Sequence, residues 1–244
     1  TGIEDFTAIN SLNCGNNQIT SLNLSNNTAL YDLYCSNNLL TSLDLSNLTF
    51  NNNYDSYISC DNNQLTSLDL SSITDLNYLL CNNNQLTSLD LSNNTSLTLL
   101  ACHDNQLSSL DVSNNISLTN LSCNNNQLSS LDLRNGNNTN LYLLVYDNPN
   151  LNCISVDDAS WASANWSVVV YQNHQQTPVS GSIDAHTSFS DDCASYTSLN
   201  ADFSADATSA CEGATVTFTD ASTGSAGIFS WSWDFGDGTT STLQ

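Results

Sequence analysis

Between Ile9 and Val156, apolar and polar residues alternate in short bursts, as in Leu79-Leu80-Cys81 and Leu89-Asp90-Leu91. Alternation at period two predicts short half-buried strands. The bursts recur with the cysteines at 14, 35, 60, 81, 102 and 123, in steps of 21, 25, 21, 21 and 21 residues. Aligned on the cysteines, one unit emerges, carried in its fourth copy by Leu76, Leu79, Cys81, Asn84, Leu86, Leu89, Asp90 and Leu91. The asparagine recurs at Asn17, Asn38, Asn63, Asn84, Asn105 and Asn126. A seventh, degenerate unit reads Leu141, Leu144, Tyr146, Leu151, Ile154 and Val156, which puts Tyr146 in the place of the cysteine. The longest step holds an insertion around Phe50 to Tyr54, and the step into the last unit lengthens near Asn135 to Thr139. A fixed period of this length predicts a solenoid. Each coil should carry two strands, one around Leu79–Cys81 and one around Leu89–Leu91, giving two facing parallel sheets and little or no helix. One coil cannot bury its own leucines, so stacking must create the core.

Period, leucine spacing and asparagine together identify the segment as leucine-rich repeats. The 21-residue form with Leu-Asp-Leu in its second half resembles the irregular bacterial class, in which two similar half-repeats alternate. The expected fold is mainly β, with residues 1–156 as the solenoid.

Within a coil the leucines and cysteines point inward. A small thiol suits a narrow interior, and one thiol per coil does not make the convergent four-ligand set of a structural metal site. The asparagine should satisfy backbone groups of its turn and of the neighbouring coil. Asp44, Asp69, Asp90, Asp111 and Asp132 alternate outward, with Asn23 in the first unit. Stacking at ~4.8 Å sets these carboxylates side by side. The plain reading is a solvated column relieved by neighbouring hydroxyls; the sharper one is a weak Ca2+ ladder, because hard cations prefer carboxylate oxygens.

The second half of the coil repeats Ser-Leu-Asp-Leu-Ser, but the cysteine-side strand varies. Its outward positions are read as Ser11, Asp32, Tyr57, Tyr78, Leu99, Asn120 and Leu143 before the inward leucine, and Asn13, Tyr34, Ser59, Leu80, Ala101, Ser122 and Val145 after it. Gly15, Ser36, Asp61, Asn82, His103, Asn124 and Asp147 follow the cysteine position. By the repeat resemblance this strand builds the concave recognition sheet. Tyr34, Tyr57, Tyr78, Leu80, Leu99 and His103 then form an apolar and aromatic patch. Such clusters mark contact surfaces, and tyrosine suits protein or carbohydrate ligands or a second copy of the chain. The plain alternative is ordinary surface tyrosines.

After the repeats, NCISVDDASWASANW and the later IDAHTSFSDDC resemble the C-terminal cap of secreted Bacteroidota leucine-rich repeat proteins. The resemblance implies a cap over 157–193, a disulfide between Cys153 and Cys193, and Trp161 and Trp166 covering the open end of the core. Tyr171 to Gly181 departs from that cap and reads as an inserted loop. Residues 194–200 read as a linker. From Ala201 onward, TVTFTD and FSWSWDF alternate as strands, and WDFGDG followed by TTS resembles the PKD domain, an immunoglobulin-like sandwich of secreted bacterial proteins. Only its first half is matched, and 44 residues fall short of closing such a sandwich. The expectation is that the chain continues past Gln244 or that another molecule supplies strands, which also fits Cys211 having no evident partner. Asp234 and Asp237 are expected to hold the turn at Gly236 and Gly238.

Composition narrows the function. The chain has 24 acidic residues against the single cation Arg134, for a net charge of −23, which excludes the basic footprint of nucleic-acid or anionic-membrane binding. No apolar run approaches the ~18 residues of a membrane helix. Starting at Thr1, the sequence reads as a mature or partial chain. Sequons at Asn26, Asn93 and Asn115 fall in one outer turn of the repeat and are candidate glycosylation sites. The histidines His103, His174 and His186 sit in unrelated segments, and no nucleophile, phosphate or zinc motif occurs. No enzyme and no cofactor beyond weak Ca2+ is expected. Two functions compete: an extracellular or cell-surface adhesion protein binding protein or glycan, and a subunit of an extracellular filament or surface layer. The disulfide implied by the resemblance places either in an oxidising setting.

Overall fold

The computed structural model describes residues 2–50, 55–166, 183–184, 186–193, 202–205, 216–222, 233–234 and 240–241. The chain divides into two units, Thr1–Cys193 and Ala194–Gln244. In chain order the first unit holds β1 (Ser11–Asn13), β2 (Asp32–Tyr34), β3 (Tyr57–Ser59), β4 (Tyr78–Leu80), β5 (Leu99–Ala101), β6 (Ser109–Asp111), β7 (Asn120–Ser122), β8 (Ser130–Asp132), β9 (Tyr142–Leu144), β10 (Cys153–Ser155), α1 (Ala159–Asn165) and β11 (Ser188–Ser190). Short 3-10 turns occupy Ile3–Asp5 and Asn138–Asn140.

The unit is a parallel β-solenoid. Seven cysteine-side strands stack in the order β1-β2-β3-β4-β5-β7-β9, each paired in parallel with equivalent residues in register. The central residue of each strand turns inward. In the fourth coil Leu76, Leu79, Cys81 and Leu86 are fully buried and Leu91 nearly so. The core is therefore a set of leucine columns running the length of the stack.

The second sheet is shorter than two strands per coil predicts. It comprises β6, β8, β10 and β11, and the Leu-Asp-Leu segments around Leu45, Leu70 and Leu91 are not strands. In these segments the aspartate accepts from the backbone N–H two residues later, as it also does in β6 and β8. A lateral ladder persists only toward the end of the stack, where β11 pairs with β10 and supplies a fixed edge.

Two asparagine positions shape each coil. The residue two places after the cysteine column lies in the left-handed region in all seven coils, at Asn16, Asn37, Asn62, Asn83, Asp104, Asn125 and Asp147. Asn and Asp tolerate that conformation better than other side chains. The next residue is the brace. Asn84 Nδ2 donates to the carbonyls of Cys60, Cys81 and Asn82, and its Oδ1 accepts from Leu65 N–H. Asn38, Asn63, Asn105, Asn126 and Asn148 repeat the pattern.

Asn148 corrects the register of the last coil. Leu143 pairs with Leu121 and is buried, so Val145, not Tyr146, occupies the cysteine column. The 3-10 turn at Asn138–Asn140 takes up one extra residue, making the step from Cys123 one longer than the period. Tyr142, Leu144 and Tyr146 therefore face outward, rather than Leu143 and Val145.

A cap ends the stack. Asp158 Oδ1 accepts from Trp161 N–H at the start of α1, Trp166 is buried and contacts Trp161 and Phe189, and Cys153 and Cys193 form a disulfide. The Asp184 carboxylate accepts from the Asp147 and Asn148 backbone N–H groups.

In the second unit, β12 (Phe203–Ala205) pairs antiparallel with β13 (Phe218–Asp220), and β14 (Trp233–Asp234) with β15 (Thr240–Ser241). The rings of Phe203 and Phe218 meet edge to face at 5.9 Å. The expected loop at Tyr171 to Gly181, the linker 194–200, His174, Cys211 and Asp237 lie outside the described residues, as does the insertion beyond Phe50. Among the described residues no helix is long and apolar enough to cross a membrane.

Candidate binding face

Parallel pairing in register makes every outward position of the seven-stranded sheet a column along the stack. Where a column stops repeating, a unique surface results. Tyr57 stands beside Tyr78, and Tyr78 beside Leu99; Tyr34 stands beside Ser59, Ser59 beside Leu80, and Leu80 beside Ala101. Tyr34 is thus in the column next to that of Tyr57, and the two rings meet diagonally. They stack at 5.0 Å and 26°, and Tyr57 stacks on Tyr78 at 5.6 Å and 27°. Leu80 and Leu99 complete the cluster, and all five side chains are half-buried.

Carboxylates flank the rings. Burial, and secondarily Asp32, raise the Tyr34 phenol above its ordinary pKa. Burial, then Tyr34 and Asp61, do the same for Tyr57. Burial also raises Asp32 itself. Asp61 accepts from Ser59 Oγ at 2.7 Å and from Asn62 Nδ2 at 2.6 Å. His103 lies in the turn after β5, its Nδ1 2.6 Å from Asp104 Oδ2.

A second aromatic group sits at the capped end of this face. Tyr142 is exposed and Tyr146 half-buried, and the Tyr146 phenol is raised by burial, then by Asp147, Asp104 and Tyr142. Sequence reading missed both because the last coil was counted one residue out of step. The signal that finds them is the Asp147-Asn148 pair, which repeats the left-handed residue and brace of every earlier coil.

On the opposite side, Asp44, Asp69, Asp90, Asp111 and Asp132 each accept the backbone N–H two residues on, at 2.9–3.0 Å. Asn23 does so in the first coil. The column therefore closes turns. Hydrogen bonds from Ser46, Ser71 and Ser92 hold Asp44, Asp69 and Asp90 below the ordinary carboxylate range. Asp132 is lowered chiefly by Arg134, which grips it through Nε and Nη2. Among the described residues, no three His, Cys, Asp or Glu side chains converge as a metal site.

Asn26 and Asn93 are exposed. Asn115 is not a candidate for glycosylation: it is buried, and its Nδ2 donates to the carbonyls of Leu91 and Asn94. It aligns with the inward Asn27 and Asn94, one place after the exposed turn residue.

No protein-family profile matches the chain, and no curated protein does. Among solved structures, the chain is similar to the functional domain of InlJ from Listeria monocytogenes, described as including a cysteine ladder, at 34% identity and TM-score 0.47 over 64% of this chain. It spans 41% of the length of that solved chain. It is also similar to the leucine-rich repeat domain of APL1B, at 17% identity and TM-score 0.34 over 63% of this chain and 67% of that one.

Proposed function

We propose that the chain is a non-enzymatic, extracellular or cell-surface binding protein that acts in adhesion, using the outward face of the seven-stranded sheet to recognise a protein. The observation that carries this reading is the continuous stack of Tyr34, Tyr57 and Tyr78 across three consecutive coils. Half-buried rings in outward columns that elsewhere include Ser11, Asn13, Ala101, Asn120 and Ser122 leave apolar surface at the water boundary, the usual composition of a contact patch. Stacking covers ring faces, so ring edges and phenol oxygens are what a ligand meets; this favours protein over sugar, which packs on open faces. The proposed organisation is a solenoid over 1–156, a cap over 157–193, a linker over 194–200 and a PKD-like module over 201–244 serving as spacer. The Cys153–Cys193 bridge fits an oxidising location.

An array of extracellular proteins and glycans, probed with the full chain and with Tyr57→Ser, tests the reading. Protein spots bound by the wild type and lost by the variant are expected. Equal binding by both overturns it. Regular fibres in negative stain, with no bound spots, would move the assignment to a filament subunit.

A further inference from the structure

The proposed binding face has a uniform charge. Asp32 projects from β2, Asp61 follows β3, Asp104 follows β5, and Asp147 follows β9. No Lys or Arg offsets them, because the chain's single cation, Arg134, lies after β8 in the opposite sheet and is gripped by Asp132. The other base there, His103, is held on Asp104. The sheet sets these carboxylates among the rings: Asp32 is the lateral neighbour of Tyr57, and Asp61 accepts from the hydroxyl of Ser59, the lateral neighbour of Tyr34.

An apolar wall edged by carboxylates has a specific complement. Lysine and arginine carry long methylene stems that pack along apolar surface while the charged head reaches outward. The tyrosine stack supplies the wall, and the flanking aspartates the counter-charges. An acidic partner would instead bring like charges together, which costs several-fold in affinity and slows encounter.

We infer that this face takes a basic segment of a partner protein, whose Lys or Arg stems lie along Tyr34, Tyr57 and Tyr78 while their heads pair with Asp32 and Asp61. The inference rests on the reading of this face as the binding surface and adds the charge class of its ligand.

A displayed random-peptide library, selected on the full chain and counter-selected on Tyr57→Ser, tests it. The enriched peptides should be rich in Lys and Arg. One such synthetic peptide should bind at least ~10-fold more weakly to Asp32→Asn/Asp61→Asn. It should bind normally to Asp69→Asn/Asp90→Asn, which removes equal charge from the other side. Equal loss in both double variants overturns the inference, because bulk charge alone then explains binding. Neutral or acidic peptides that still depend on Tyr57 overturn it while leaving the binding face standing. Loss of every binder in the counter-selection, all peptides binding Tyr57→Ser as well as the wild type, removes the face and the inference together. Thermal melting of each variant shows that the fold is retained.

Discussion

Asn84 and Leu65 are joined across a coil boundary: the Leu65 backbone N–H donates to Asn84 Oδ1 at 2.9 Å. The same side chain donates to Cys60 O in the previous coil and to Cys81 O in its own, both at 3.1 Å. Removing it orphans several backbone groups next to the core. Each unsatisfied buried group costs about 1–3 kcal/mol, so Asn84→Ala should destabilise by roughly 3 kcal/mol or more in denaturant titration. Asn17, in the first coil, reaches only Cys14 O and Gly15 O and is exposed. Asn17→Ala should cost markedly less, and equal losses would mean that the bonds between coils contribute nothing.

Asn83, just before this brace, sits at φ 54°. Left-handed backbone costs most side chains about 1–2 kcal/mol, and β-branched ones resist it further. Asn83→Gly should leave the melting temperature nearly unchanged, and Asn83→Val should lower it by several degrees. A Val variant as stable as the wild type would show that the turn can adopt another conformation.

The repeat wrote its structure into the sequence because each coil has the same task. Leucine spacing marked the inward columns, and the recurrent Asn84-type residue announced a brace. What depended on one residue's geometry was harder to read. Asp90 reads as one member of a solvated column relieved by hydroxyls; that it also closes a turn through Ser92 N–H does not show in the repeat. Asn115 looked like its exposed neighbours, yet one place in register moved it into the core. Tyr142 and Tyr146 were hidden by a single extra residue near Asn138. The stack of Tyr34 on Tyr57 joins two different columns, and sequence alignment within columns names the residues but does not show that their rings meet.

The turn-closing aspartates make stability depend on pH. Serine hydrogen bonds hold Asp44, Asp69 and Asp90 below the ordinary carboxylate range in the folded chain. Folding therefore favours the ionised form: the contribution is complete above the unfolded pKa and is lost as pH falls through the lower folded value. The melting temperature should decline below about pH 4. Asn23 performs the same turn closure without a charge, so Asp90→Asn should preserve stability at pH 7 and flatten part of the acid decline. An unchanged acid limb in the variant would show that Asp90 does not contribute to it.

The thiol column sets a reactivity pattern along the stack. Burial raises every cysteine in it; Cys35 is pushed up to about 12, with Cys14 and Asp61 adding to the effect. Cys60, Cys81, Cys102 and Cys123 are also raised by burial. The thiolate is the reactive form, so these five should resist alkylation in the native protein at pH 8. Cys14 is only half-buried, at the open end of the column, and should label first, though more slowly than a free thiol because burial raises it as well. Mass-spectrometric mapping of labelled sites over time checks this order. In denaturant all six should react together. Rapid labelling of Cys81 or Cys102 in native buffer would mean that the coils separate readily, because access to the column's centre requires the leucine stack around it to open.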